Sequence, residues 1–167
     1  MTALQRLGLS KMLLAEVPVE LCSLPNLKFL DLSSNPRLNE LPQEIRSLKK
    51  MERLNLAGTN IADIPPEIVE SLKTLVLFDF PAVRIARRLP EALWLSQSIE
   101  ELDLRNDGIR ATAEDLARLP NLKILRVRPG EEEGSLSLNA LQSALPNCKI
   151  DTRGAFDSYH WFEEEGT

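Results

Sequence analysis

A triplet of apolar residues, spaced three and then two apart, recurs six times along the chain. It stands at Leu4, Leu7 and Leu9, then at Leu27, Leu30 and Leu32, then at Met51, Leu54 and Leu56. It returns at Leu75, Phe78 and Phe80, at Ile99, Leu102 and Leu104, and at Leu122, Leu125 and Val127. The starts are 23, 24, 24, 24 and 23 residues apart. A period of this length marks a stack of equivalent units, each unable to bury its own apolar face and each covered by its neighbours. The pattern accounts for a chain in which 31 of 167 residues are leucine and only eight are aromatic.

Further positions repeat within the units. The ninth carries Met12, Asn35, Thr59, Val83, Asp107 and Gly130, and the eleventh carries Leu14, Ile61, Ile85 and Ile109, with Leu38 shifted by one residue in Asn-Pro-Arg-Leu. The second half of a unit reads hydrophobe, Pro, two residues, aliphatic, as in Val17-Pro18 to Leu21, Leu41-Pro42 to Ile45, Ile64-Pro65 to Ile68 and Leu89-Pro90 to Leu93. A further leucine follows at Leu24, Leu48 and Leu72. Proline fixes φ and cannot serve a central ladder, so these segments belong outside the sheet, in single turns.

The segments LKFLDLSSNPRLNELPQEIRSL and MERLNLAGTNIADIPPEIVESL resemble leucine-rich repeats of the 23–24-residue class. That class is found in intracellular plant and animal proteins and in bacterial proteins, secreted effectors among them. The resemblance extends over residues 3–150. It implies an α/β solenoid with a curved parallel β-sheet on its concave face and short 3₁₀ or helical turns on its convex face. About six repeats and a C-terminal half-repeat are expected. In this family the ninth-position Asn bonds the backbone of adjoining turns, a role open here to Asn35, Thr59 and Asp107. Val83 departs from that pattern and marks the fourth unit as irregular.

Two helices are predicted from their caps. Thr112 opens residues 112–119, with Asp115 at capping-box spacing, and Ser137 opens residues 137–145. Residues 1–150 are expected to form the repeat domain, with a last short strand at Cys148–Ile150. Residues 151–167 then form an acidic and aromatic tail, where Phe156, Tyr159, Trp161 and Phe162 cap the final unit or bind a partner.

The net charge of −5 is unevenly placed. Residues 1–128 carry +1 and residues 129–167 carry −6. A basic nucleic-acid surface is thus disfavoured. No apolar run approaches the ~20 residues that span a bilayer, and Met1–Leu14 lacks the layout of a signal peptide. Two cysteines 126 residues apart make neither a disulfide framework nor a zinc site, and are expected as buried thiols at Cys22 and Cys148. One histidine, His160, has no nucleophile motif beside it. The composition therefore points away from an enzyme and away from cofactors or metals. The Arg84, Arg87, Arg88 cluster reads as a solvated convex patch.

On the concave face, the expected partner-facing columns run through the third, fifth and seventh positions. The third holds Arg6, Phe29, Arg53, Leu77, Glu101 and Ile124, of which Phe29, Leu77 and Ile124 are apolar anchors in charged surroundings, as a binding hot spot requires. The fifth holds Asp31, Asn55, Asp79, Asp103 and Arg126, with an acidic stripe at Asp31, Asp79 and Asp103. Arg105, Arg126 and Arg128 form a basic cluster at the C-terminal end. Seven strands give a face about 30 Å long, enough for one partner protein of ordinary interface size.

The function expected is a non-catalytic protein-interaction module, cytoplasmic and monomeric, binding another protein but neither nucleic acid nor membrane. Two alternatives stand beside it. One is the recognition domain of a larger bacterial effector of ubiquitin-ligase type, although neither cysteine here has a Cys-x-Asp context. The other is a small inhibitor or immunity protein acting through its acidic end.

Overall fold

A computed structural model describes residues 3–77, 89–105, 111–128 and 136–153. Among these residues, seven strands form one parallel sheet in sequential order: β1 (Arg6–Gly8), β2 (Phe29–Asp31), β3 (Arg53–Asn55), β4 (Thr74–Val76), β5 (Glu101–Leu104), β6 (Ile124–Val127) and β7 (Lys149–Asp151). The crossovers return through 3₁₀ turns at Val19–Ser23, Gln43–Ser47 and Glu91–Leu95. The others use short helices α1 (Pro66–Val69), α2 (Ala113–Leu116) and α3 (Leu138–Ala144). This is the expected solenoid, with sheet on one face and single turns on the other.

Each turn starts where the sequence says it should. Pro18, Pro42, Pro65 and Pro90 stand as the caps before their turns, in extended backbone that proline tolerates. Thr112 and Asp115 form the predicted capping box at α2, and the Ser137 hydroxyl accepts the Ala140 amide at α3.

The core is a column of aliphatics running along the stack. Leu30, Leu54, Leu75, Leu102 and Leu125 at the strand centres are fully buried, with Leu27, Met51 and Ile99 ahead of them and Leu32, Leu56 and Leu104 behind. Each such side chain contributes about 1.5–3 kcal/mol before chain entropy is subtracted. Asn35 is buried in the same column. Its Nδ2 donates to the carbonyls of Leu9, Leu32 and Ser33 at 2.9, 2.8 and 3.2 Å, and its Oδ1 accepts the Leu14 amide at 3.0 Å. One amide thus ties the first repeat to the second. Among the described residues the Thr59 hydroxyl donates to the Leu56 carbonyl, at 2.8 Å. Asp107 and Val83 lie outside the described residues.

The fourth strand corrects the expected register. β4 pairs Arg53 with Thr74, Leu54 with Leu75 and Asn55 with Val76. The strand centres are therefore 23, 24, 21, 27, 23 and 25 residues apart. The triplet in this unit is Leu72, Leu75, Leu77, which has the same three-then-two spacing as Leu75, Phe78, Phe80. Leu72 leads into the strand as Met51 does, its amide bonding the Val69 carbonyl just as Met51 bonds Leu48. A slip of three residues reverses which side chains face inward. In the observed register Leu72, Leu75 and Leu77 all enter the core, at 0, 0 and 4% exposure. The unit is three residues shorter than the second: one is the extra residue of Asn-Pro-Arg-Leu, and two are lost where α1 sets Ile68 and Val69 side by side into the core in place of Ile45 and Leu48, three residues apart.

The last strand begins at Lys149, one residue later than expected, with Ile150 at its centre facing Leu125. Phe156, Tyr159, His160, Trp161 and Phe162 lie outside the described residues, as do Phe78, Phe80 and Arg84 to Arg88.

Candidate concave-face site

Side chains that alternate with the inward leucines project from the sheet's open face. The strand register fixes which ones share a row. The first row is Arg6, Phe29, Arg53, Thr74, Glu101, Ile124 and Lys149, and the second is Gly8, Asp31, Asn55, Val76, Asp103, Arg126 and Asp151. Two residues on stand Arg105, Arg128 and Arg153. The expected site residues Arg6, Phe29, Asp31, Arg53, Asn55, Glu101, Asp103, Arg105, Ile124, Arg126 and Arg128 all fall on these rows.

Leu77 does not. It belongs to the core, and Thr74 takes the place expected for it. Val76 takes the place expected for Asp79, which itself lies outside the described residues. The seventh strand adds Lys149, Asp151 and Arg153 to the face.

Phe29 is not an exposed anchor. The guanidinium carbon of Arg6 lies 4.5 Å from its ring centroid and that of Arg53 lies 5.3 Å away, and the residue is only 8% exposed. What solvent meets at the N-terminal part of the face is a pair of guanidinium groups held by one aromatic ring.

The acidic stripe is likewise turned to another purpose. The Asp31 carboxylate accepts the Ser33 amide at 2.9 Å, the Asn55 side chain accepts the Ala57 amide at 3.1 Å, and Asp103 and Asp151 accept the amides of Arg105 and Arg153 at 3.3 and 3.1 Å. Each closes an Asx turn where its strand ends, satisfying a backbone donor that the ladder no longer reaches. Asp31 and Asp103 are buried accordingly.

Two of these turns carry a bidentate ion pair. Arg105 folds back onto Asp103, its Nε 2.9 Å from Oδ1 and its Nη2 on Oδ2, with both side chains about 95% buried. Its Nη1 also donates to the Arg153 carbonyl at 3.4 Å, bridging the fifth and seventh units. Arg153 forms the same fork on Asp151, at 2.9 and 2.7 Å, but with its guanidinium open to solvent over a largely covered carboxylate. Arg153 holds the Asp151 carboxyl well below the usual carboxylate range, with a smaller contribution from Arg126. Arg126 pairs with Glu101 across adjacent strands at 3.2 Å. The expected basic cluster is thus interleaved with the acids of the fifth and seventh strands, which flank the sixth.

A charge ladder that the sequence reading missed runs beside these rows. Lys28, Glu52, Lys73, Glu100 and Lys123 occupy the residue leading into β2 to β6, linked successively by backbone bonds of 2.8 Å. Glu52 meets Lys28 at 3.0 Å and Lys73 at 3.7 Å, and Glu100 meets Lys123 at 2.7 Å. Its signal was present as alternating charge two residues before each strand centre. The assumed even period put Val76 in place of Lys73 and hid it. The Lys28 hydrogen bond is the main cause that lowers the Glu52 pKa from its ordinary value. A carboxylate with a lowered folded-state pKa stabilises the fold above its unfolded value, and the effect is lost as pH falls through the folded one. Glu52→Gln is therefore expected to cost up to about 1 kcal/mol at neutral pH. Its urea midpoint should converge with that of the parent chain as pH falls below the carboxylate range, and a gap persisting there would show that the loss is not electrostatic.

Among the described residues, no group of three or more His, Cys, Asp or Glu side chains could hold a metal ion, and no helix is long and apolar enough to cross a membrane. Cys22 is buried and Cys148 half-buried, and burial raises both thiol pKa values.

The family model described as "Leucine-rich repeat region" matches residues 4–153. Among solved structures, a leucine-rich repeat protein of Leptospira interrogans is similar at a TM-score of 0.50 and 21% identity. That likeness covers 90% of this chain and 49% of that protein, so the chain spans about half the length of the structure it resembles, and what they share is the fold. No curated protein matches the chain.

Proposed function

The chain belongs to the leucine-rich repeat family, and from that premise we propose that it is a non-catalytic module whose concave sheet face binds one partner protein. The observation that carries this reading is the make-up of that face. Seven adjoining strands present a continuous row of side chains over about 30 Å, ordered by pairing among themselves rather than gathered round one reacting centre. Stacked and paired guanidinium groups lose little freedom on docking, which favours recognition of a matching surface.

The contacts divide by burial. Asp31, Asp103 and Arg105 are spent on turns and hold the face in shape. Arg53, Glu101, Ile124 and Arg126 are half-exposed and are the side chains offered to the partner. Their mixed charge suits a partner of mixed charge better than a polyanion. Cys22 and Cys148 are free thiols, which suits the reducing cytoplasm as the protein's location.

The test is affinity capture with the wild-type chain, followed by the variants Arg53→Ala, Glu101→Ala, Ile124→Ala and Arg126→Ala against the captured protein. At least two of the four are expected to weaken binding tenfold or more, about 1.4 kcal/mol, with an unchanged thermal midpoint. Full binding by all four would overturn the concave-face assignment.

A further inference from the structure

We infer that the partner's docking segment carries two acidic clusters about 22 Å apart, one for each end of the concave face. The inference rests on the reading of that face as the partner site and gives the partner a chemistry.

The described rows hold more bases than acids, and exposure widens the difference. Asp31 and Asp103 are buried, with an oxygen of each turned to the amide of Ser33 or Arg105. The Asp151 side chain is 10% accessible beneath an Arg153 that is 70% accessible. The cations stand above these acids. Arg53 and Arg126 are half-exposed, and Arg128 and Lys149 are exposed. Glu101 stays partly accessible and already meets Arg126. The ladder beside the rows repeats the asymmetry: Lys73 is more accessible than Glu52, and Lys123 more than Glu100. Arginine and lysine carry their charge on longer stems than aspartate and glutamate, which leaves the cation outermost. A chain of net charge −5 thus turns a cationic side to whatever enters its concave face.

That charge is gathered in two places. At one end the Phe29 ring holds the guanidinium carbons of Arg6 and Arg53, 4.5 and 5.3 Å from its centroid. An aromatic face attracts a cation without cancelling its charge. At the other end Arg126, Arg128, Lys149 and Arg153 stand on β6 and β7 and just beyond them. Between the two, β4 contributes Thr74 and Val76, both uncharged and buried, and β5 contributes Glu101. The centres, at β2 and between β6 and β7, lie four to five strands apart in the sheet. At ~4.8 Å per strand that is about 22 Å.

A uniform polyanion does not match this layout. A nucleic-acid strand carries charge along its whole length and would set phosphates over Glu101 and over a fourth strand that offers them no cation. A protein segment can place carboxylates at two points with a neutral or basic stretch between them. Planar guanidinium forks suit those carboxylates.

Fluorescence anisotropy tests this with the 167-residue chain and a labelled peptide of two glutamate triplets joined by Gly-Ser-Gly-Ser. The triplet centres are about 23 Å apart when the peptide is extended. It is expected to bind at least tenfold more tightly than each of three other probes: the same peptide with lysine triplets, six contiguous glutamates followed by the same linker, and a ten-nucleotide oligothymidylate. Arg53→Glu at one end and Lys149→Glu at the other should each weaken it tenfold or more, and added salt should weaken it too. Lys49→Glu, an equal change of charge at an exposed position off the rows, should leave it unchanged. Equal binding of the contiguous glutamates or of the oligothymidylate would make the face a general anion surface and overturn the two-cluster proposal. So would binding indifferent to Arg53→Glu and Lys149→Glu. If the two-triplet peptide fails to bind while the alanine variants still weaken the captured protein, the proposal falls and the concave-face assignment stands. If the alanine variants bind that protein fully as well, both fall.

Discussion

Leu77→Ala is expected to lower the unfolding free energy by about 3 kcal/mol, within the 2.7–5 kcal/mol seen for buried Leu→Ala changes. The residue is 4% exposed and part of the continuous core, so truncation removes buried apolar surface and leaves a cavity between two repeats that cannot easily close over it. Urea unfolding measures the loss directly. The even 24-residue period predicts something different for the same variant: native stability and weaker partner binding, as for an exposed hot-spot residue. The two outcomes separate the registers of β4. A midpoint within error of the parent chain would return Leu77 to the surface and displace Thr74, Leu75 and Val76 from their ladder.

Arg105→Ala should be at least as damaging, by about 3–5 kcal/mol, because it leaves a buried carboxylate without its partner. Asp103 and Arg105 are almost fully covered and bonded through both arms of the guanidinium. The Arg105 link to the Arg153 carbonyl would be lost as well. The double variant Asp103→Ala/Arg105→Ala is expected to be more stable than Arg105→Ala alone, since no unpaired charge remains, and the double-mutant cycle gives the coupling. Arg105→Lys should fall between, having one point charge in place of a planar fork. The corresponding change at Arg153, whose side chain is 70% accessible over an Asp151 side chain that is 10% accessible, should cost less, since water replaces the exposed guanidinium. If Arg105→Ala and Arg153→Ala cost the same, burial is not what makes the first pair matter.

The fold was legible because its cause is local and repeated. Three-then-two aliphatic spacing, proline ahead of each convex turn, Asn35 in the ninth position and the Thr112–Asp115 box each name an element, and each element formed. The site was legible only as a set of positions. Eleven of the thirteen residues expected on the concave face are on the described rows of that face; Leu77 is in the core instead, because a register error moves every residue of its strand, and Asp79 lies outside the described residues. What several of these residues do there was not legible. Asp31, Asp103 and Arg105 are polar in sequence, and polarity at an outward position reads as exposure. Their burial follows from Asx turns and a folded-back guanidinium, which depend on where the strand ends.

The sequence by itself determined the repeat, the sheet, the direction of the core leucines and the balance of charge along the chain, because periodicity and chain stiffness act within a single unit. Tertiary structure alone decided which of two overlapping leucine triplets became β4. Both satisfy the local pattern, and only pairing with β3 and β5 sets Lys73 between Glu52 and Glu100 and brings Leu72, Leu75 and Leu77 inward together. It also decided that Phe29 lies under two arginines and that the first repeat ends in exposed Met12 and Leu13. Those outcomes depend on what stands on the next strand, and that information lies about 24 residues away along the chain.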